Sequence, residues 1–405
     1  MVDYARIAAL LDQRPPGHSL PQGLYLEPDA FAFDLEAIYW RHWLLIGFEV
    51  ELPRAGSHLA LNIGPAPVFV VRGRDGVLRG FHNSCRHRGA QVAPDGKAAS
   101  ARLVCPYHRW TYELTGELVH AARMGEAFRA CDHGLKPIHV ETCAGAVYIC
   151  LAETPPSFAT FRDQLAPMLA PHRLGEAKLA HEATLVERGN WKLAMENARE
   201  CYHCASGHPE LALTFPTGVS ANFDYGEDAR RQAEFNARMA GLGLAVGPHE
   251  EAWWQAIRFP LNEGCRSMTI DGRTAVDRLM VEAGDGDIGS LRWAVEPHAF
   301  VHAAADFLFM FSALPLSPGE TLITGKWLVH RDAVEGVDYD LAHLTELWNR
   351  TNQQDLELVE NNQRGVASPA YAPGPYSVDA EALTLRFTDW YCAEARAFLE
   401  SRSHG

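Results

Sequence analysis

A chain of 405 residues is too long for one ordinary hydrophobic core and suits two domains. Hydrophobic residues at 47% and charged residues at 21% are a globular balance, which excludes a collagenous or disordered chain. A formal net charge of −15 would repel phosphate and argues against a nucleic-acid partner.

The start, MVDYARIAALLDQRPPG, lacks a basic segment followed by an apolar core, so no signal peptide is expected. No run of about 18 apolar residues exists, so no membrane span is expected either. A short helical pattern covers Tyr4 to Leu11, followed by a Pro-rich connection. From Trp43 the texture becomes strand-like: HWLLIGFEVEL, HLALNIG, APVFVVRG and VLRGFHNS are short apolar or alternating runs punctuated by Gly, Pro and Asp-Gly. The texture continues through ARLVCPYHRWTYEL and AGAVYICLA to Glu153, and Thr154 to Ser157 (TPPS) is the best linker. Beyond it, the patterns predict a helix over Trp191 to Ser206, a Trp-rich stretch near Trp253, strands near Phe307 and Lys326, and a long helix from Tyr339 to Asn362. The fold expected is a small all-β domain (42–154) inserted near the front of a larger α+β domain (155–405), with a helical segment (1–41) packing on the latter. The nine cysteines are odd in number and dispersed, which favours metal ligands and buried thiols in a reducing cytoplasm over a disulfide framework.

In the small domain, Cys85-Arg86-His87 is followed after 17 residues by Cys105-Pro106-Tyr107-His108. Two Cys and two His also suit a structural zinc site. Zinc fingers and ribbons, however, pair like with like, whereas each loop here gives one Cys and one His. That alternation suits a binuclear cluster with both cysteines on one iron and both histidines on the other, an arrangement that raises the reduction potential.

In the large domain, ENARECYHCASGHPEL separates His203 and His208 by four residues. Five helical steps turn about 500°, leaving the two roughly 140° apart, so they share a site only if the helix ends between them. Gly207 and Pro209 are residues that end helices. Alone, the pair reads as two unrelated surface histidines. A third residue changes that reading. Leu341, Leu344, Trp348, Thr351, Asp355, Leu358 and Asn362 form one helical stripe, which puts Asp355 in register with the buried face. A buried carboxylate needs a cation or a donor from a neighbouring helix. Two His and one carboxylate facing a common ion, with open positions left over, is the pattern of non-heme Fe(II) oxygenases.

FHNSCRHRGA and CPYHRWTYELTGEL resemble the Rieske domain of ring-hydroxylating and N-demethylating oxygenases. NWKLAMENARECYHCASGHPEL and TNQQDLELVENNQRG resemble that family's catalytic segments. The resemblance implies a [2Fe–2S] cluster on Cys85, His87, Cys105 and His108, a helix-grip (START/Bet v1-like) catalytic domain, and a mononuclear iron on His203, His208 and Asp355. It places Asn197 close to that iron. Glu200 falls where the family has a carboxylate linking a cluster histidine of one subunit to an iron histidine of the next, which implies a head-to-tail homotrimer. The ring-dihydroxylating members have Asp there. The Glu variant, with FHNSCRHRG, PLNEGCRSMTIDG and VEGVDYDLAHLTELW, resembles the branch acting on glycine betaine, proline betaine and carnitine.

GLGLAVG near Gly241 lacks the spacing of a nucleotide loop. Electrons are therefore expected from NAD(P)H through a separate flavin and iron–sulfur reductase. The expected activity is oxidative N-demethylation of a quaternary ammonium compound by O₂, ahead of cis-dihydroxylation of an arene or plain electron carriage. An aromatic cage for the substrate is sought among Trp253, Trp254, Phe259, Trp293, Phe300, Phe307, Phe309, Trp327, Tyr371 and Tyr376, most of which must be ordinary core. Arg258, Arg266, His298 and His302 are candidates for binding a substrate carboxylate.

Overall fold

Asp3 opens the first helix, α1 (Tyr4–Asp12), by accepting the Arg6 N–H, and Ile7, Leu10 and Leu11 are buried along it. Two short helices, α2 (Gln22–Leu26) and α3 (Pro28–Asp34), follow. The computed structural model describes residues 2–217 and 226–403. The chain divides into two units: Trp40–Ser157, and Met1–Tyr39 together with Phe158–Gly405.

The smaller unit is built of strands β1 (Leu44–Phe48), β2 (Ser57–Ile63), β3 (Ala66–Arg72), β4 (Leu78–His82), β5 (Gly96–Ala99), β6 (Leu103–Val104), β7 (Thr111–Tyr112), β8 (Leu118–His120), β9 (Pro137–Cys143) and β10 (Ala146–Cys150). Seven of them form an antiparallel sheet in the order β1-β10-β9-β4-β3-β2-β5, and β6-β7-β8 form a second sheet. Gly64 at φ +58 makes the tight reversal between β2 and β3 that a side chain would disfavour. Cys85 and Cys105 lie in a core with Phe69, Phe81, Leu103, Trp110 and Tyr112. That apolar wall shields two thiols at the loop bases, while the loop tips stay outside it.

In the larger unit, α4 (Ala159–Leu169) precedes β11 (Ala177–Glu187), α5 (Trp191–Asn197), α6 (Cys204–Gly207), α7 (Leu211–Thr214) and α8 (Gly226–Gly241). Then come β12 (His249–Glu251), β13 (Trp254–Phe259), β14 (Ser290–Val295), β15 (Ala299–Ala303), β16 (Phe307–Ser317), β17 (Glu320–His330), α9 (Leu341–Val366) and α10 (Ala382–Ser403). The strands make one antiparallel sheet, β11-β17-β16-β15-β14-β13-β12. β16 (FLFMFSALPLS) is buried for its first seven residues without alternation, as a strand covered on both faces must be. Helix α9 is capped by Asp340, which accepts the His343 N–H, and it packs on α5 and β11. Helix α5 is fixed by a fully buried ion pair between Lys192 and Asp34. Trp191 Nε1 (2.9 Å) and Tyr391 Oη (2.8 Å) also donate to that carboxylate. A buried charge pair is tolerated only when its remaining lone pairs are satisfied in this way.

Three expectations need correction. The helix predicted over Trp191 to Ser206 stops at Asn197, and a second helix of one turn begins at Cys204. Two of the nine cysteines, Cys201 and Cys204, are joined in a disulfide with Cα atoms 4.8 Å apart, where free thiols were expected. The buried stripe of α9 drifts, because its period is 3.6 and the sequence spacing alternates three and four: Val359 and Val366 are buried, while Leu358 is exposed. Among the described residues, no helix is long and apolar enough to cross a membrane.

Candidate metal centres

The two loops of the smaller unit close in the same way. Cys85 N–H donates to Ala90 O (2.8 Å) and Gly89 N–H to Cys85 O (2.9 Å); Cys105 N–H donates to Trp110 O (2.8 Å) and Arg109 N–H to Cys105 O (3.1 Å). Gly89 (φ +79) and Arg109 (φ +61) occupy equivalent left-handed positions. Arg109 holds this conformation without being glycine, a strain usually met where a loop presents ligands. The closure brings His87 Nδ1 within 3.1 Å of His108 Nδ1. His87 stacks on Trp110 at 4.8 Å and 11° between planes. Tyr112 Oη accepts the Arg86 N–H (3.0 Å) and lies 3.2 Å from Cys85 Sγ. Both thiols are free and buried. Burial pushes the Cys105 thiol up, and the neighbouring Cys85 adds to this. Two imidazole nitrogens in contact and two adjacent buried thiols can hold a pair of irons bridged by sulfide.

The second centre forms where α5 gives way to a turn. Arg199 is buried and bonds Glu296 at 2.7 Å, drawing the chain away from a helical course. Glu200 then turns its carboxylate back onto the backbone N–H groups of Tyr202 and His203 (3.2 Å to the latter). The Cys201–Cys204 bridge fixes the same turn. His203 caps the N-terminus of α6 and His208 its C-terminus. With one helical turn between them, their Nε2 atoms approach to 3.0 Å. Helix α9 supplies Asp355, whose Oδ1 is 3.0 Å from His208 Nε2 and 3.4 Å from His203 Nε2. Both Nδ1 atoms are engaged on the far side, His203 with Glu200 Oε1 and His208 with Gln354 Oε1 at 2.9 Å. Those oxygens can only accept, so each ring carries its proton on Nδ1 and presents a bare Nε2. Three lone pairs then converge, and Asp355 Oδ1 is buried without a hydrogen-bond donor.

Such a triangle repels itself unless a cation occupies it. Ligands about 2.1 Å from one ion and at right angles lie about 3.0 Å apart, which matches the spacings here. The Cys204 sulfur also lies within 4.8 Å of the two histidines, but it is committed to the disulfide. Without an ion, a proton takes the same place: burial opposes charge on His203, yet Asp355 and Glu200 outweigh it and raise its pKa to about 9, so the site favours positive charge between the three groups. For Asp355, burial would raise the pKa, and the two histidines hold it below the usual carboxylate range instead. Asn197, at the end of α5, is 3.5 Å from His203 Nε2 through its Nδ2. Gln354 was not foreseen from the sequence; its position next to Asp355 on α9 was the available signal.

A cavity opens over this centre. Its walls include Phe215, Phe259, Phe300, Phe311 and Trp348. Phe300 stacks on Phe311 (4.8 Å, 12°) and His302 on Trp348 (5.3 Å, 29°). Of the ten aromatics proposed for a cage, only Phe259 and Phe300 line this cavity. Trp254, Trp293, Trp327 and Phe307 are core residues. Of the four carboxylate-binding candidates, only His302 lines it. Arg258 donates to His172 and to backbone carbonyls, Arg266 pairs with Asp285 at 2.6 Å, and His298 is buried elsewhere. Three ionisable groups that sequence reasoning missed also line the cavity: Arg199, Arg292, and Glu187, whose pKa burial and the Asp355 charge push up to about 8.

A model of the Rieske [2Fe–2S] domain matches residues 42–139, and one of the ring hydroxylating alpha subunit (catalytic domain) matches residues 174–395. The glycine betaine monooxygenase oxygenase subunit of Pseudomonas aeruginosa is 43% identical over 393 residues, 95% of this chain and 90% of that protein. The carnitine monooxygenase oxygenase subunit of Escherichia coli is 34% identical over 200 residues, 47% of this chain and 52% of that one. The quaternary ammonium Rieske monooxygenase CntA, solved with L-carnitine, superposes with a TM-score of 0.71 at 21% identity, covering 93% of this chain and 96% of that one. Naphthalene 1,2-dioxygenase from Rhodococcus sp. gives 0.66 at 19% identity, with 93% and 94% covered. At these identities the solved structures speak for the fold alone.

Proposed function

We propose, because this chain belongs to the family of Rieske ring-hydroxylating oxygenase alpha subunits and carries its [2Fe–2S] and mononuclear-iron domains, that it is the oxygenase component of an N-demethylase for a small quaternary ammonium compound. The observation that carries this reading is the aromatic cavity placed directly over the two-histidine, one-carboxylate triangle. A trimethylammonium head donates no strong hydrogen bond, so it is held against aromatic faces at about 0.5–2 kcal/mol each. The relative at 43% identity is named for glycine betaine.

In this reading His203, His208 and Asp355 hold the iron, and Cys85, His87, Cys105 and His108 hold the cluster. When bound, the iron supplies the O₂ activation that turns an N-methyl group into an N-hydroxymethyl group. That product loses formaldehyde and a proton, leaving a tertiary amine; two electrons, two protons and one O₂ are consumed and one water is formed. The chain's own residues supply position and charge. Phe300, Phe311 and Trp348 seat the cationic head and exclude water. Glu200 and Gln354 hold the Nδ1 protons of His203 and His208, which keeps both Nε2 atoms aimed at the ion. Asn197 stands beside the same position.

The two electrons come from NAD(P)H through a separate flavin and iron–sulfur reductase, which places the reaction in the cytoplasm. A head-to-tail homotrimer is proposed, with Glu200 as the relay between one subunit's cluster and the next subunit's iron.

With such a reductase, glycine betaine, proline betaine or carnitine should release one formaldehyde per O₂ consumed, measured by an oxygen electrode and a formaldehyde assay. A cis-diol from naphthalene or benzoate, with no formaldehyde from any betaine, would instead establish a ring dioxygenase. For the cluster, Cys85→Ala is expected to abolish the visible absorption and the anisotropic EPR signal of the reduced protein. Retention of both signals would place the cluster on other residues.

A further inference from the structure

Arg292 lies on β14, opposite His302 on β15, and lines the cavity above the His203–His208–Asp355 centre. Its guanidinium has no hydrogen bond or ion pair among the described residues; it lies over Phe300, whose ring centroid is 5.9 Å from Cζ. The two arginines whose charges act on Arg292, Arg199 and Arg386, are both neutralised. Arg199, in the same cavity wall, is held by Glu296 at 2.7 Å. Arg386 holds Glu250 at 2.7 Å. Arg199 and Arg386 both repel Arg292, and Glu296, the one carboxylate that attracts it, is already committed. Burial, with that repulsion, brings the Arg292 pKa down to about 9, which still leaves it charged near neutral pH. A half-buried cation without an internal partner is still costly to keep, and a ligand cavity is where the missing anion can arrive from outside.

Building on the quaternary-ammonium reading, we propose that Arg292 binds the carboxylate of the substrate and makes the cavity selective for trimethylammonium carboxylates over cations lacking that group. The guanidinium fork matches a carboxylate with two parallel N–H donors. His302 beside it adds no rival charge: burial and Arg292 hold its pKa well below the usual value, and its Nδ1 is engaged by Ser290 Oγ at 2.9 Å. Arg292 also works against the wrong ligand, because a cation without a carboxylate meets uncompensated positive charge. The contacts set an orientation. Arg292 sits on Phe300, Phe300 is 6.3 Å from Trp348, and Trp348 is two turns of α9 before Asp355. A substrate anchored by its carboxylate at Arg292 therefore presents its N-methyl end along the aromatic walls toward the metal centre.

Glycine betaine and choline share the trimethylammonium head and differ in the carboxylate, so the ratio of their dissociation constants isolates the Arg292 contact. Calorimetric titration of the holoenzyme should show a preference for glycine betaine. Arg292→Met should weaken glycine betaine about a hundredfold, as expected for a charge-assisted pair, and shift the ratio by at least about thirtyfold. Arg292→Lys keeps the charge but not the fork, and should shift the ratio by roughly tenfold. The visible spectrum of the cluster shows whether each variant is folded. If only the Lys variant folds, its shift decides. An unchanged ratio in a folded variant overturns the assignment of Arg292 and leaves the demethylase reading standing. A wild-type enzyme that binds neither compound but oxidises an arene overturns both.

Discussion

Asp355→Ala should cost the chain its mononuclear iron and bring turnover below about 1% of wild type, while the cluster keeps its absorption and EPR signal. Loss of a residue that merely orients a ligand weakens metal binding or activity about 10–100-fold, so loss of a ligand should exceed the upper end of that range. The side chain removed is the one whose buried Oδ1 has no donor and faces both Nε2 atoms. Without it, the two imidazoles keep their far-side partners Glu200 and Gln354 and have no negative charge between them. Iron analysis against the cluster absorbance separates the two centres. Near-wild-type turnover would mean that the carboxylate ligand is another residue, Glu187 in the cavity wall being next to test.

Glu200→Gln should leave both metal centres loaded and slow the oxidation of the cluster by the iron site by roughly two orders of magnitude. The amide oxygen can still accept the His203 Nδ1 proton, so the shape of the turn survives. What is lost is the negative charge that stabilises an electron-poor imidazole and offers the second oxygen to the His203 N–H. Single-turnover rapid mixing of reduced enzyme with O₂ and substrate reads this step directly. Cluster oxidation at the wild-type rate would remove Glu200 from the route between centres.

The two metal motifs were legible in the sequence for different reasons. The Cys-x-His and Cys-x-x-His loops are local: each closes on itself through hydrogen bonds spanning four or five residues, so spacing alone carries most of the geometry. Asp355 was legible because a carboxylate in register with Leu344, Trp348 and Thr351 is an anomaly on a helix. The route to the correct partner for His203 was different from the one expected. In the helix expected over Trp191 to Ser206, Glu200 and His203 would share a face at a spacing of three, but they meet in a turn, where the Glu200 carboxylate competes with the helix for backbone N–H groups. Nothing in ARECYHC marks a helix stop, because the tie that bends the chain is Arg199 reaching Glu296, 97 residues away. The same nonlocality hid Arg292. Whether Arg292 finds a carboxylate depends on how its neighbours Arg199 and Arg386 take theirs, and β14 shows only an arginine among apolar neighbours.

Helix α9 carries Trp348, Gln354 and Asp355 on one rigid rod. Seven residues separate the ring that walls the cavity from the carboxylate that faces the histidines, a rise of roughly 10.5 Å set by the helical pitch. This makes the helix a gauge of fixed length: the distance from substrate seat to ion cannot be tuned by loop movement. A longer or shorter substrate has to be matched by trimming side chains on the opposite strands. An insertion or deletion of a single residue between Trp348 and Asp355 would rotate one of them by about 100° and unmake the seat or the ion site at a stroke.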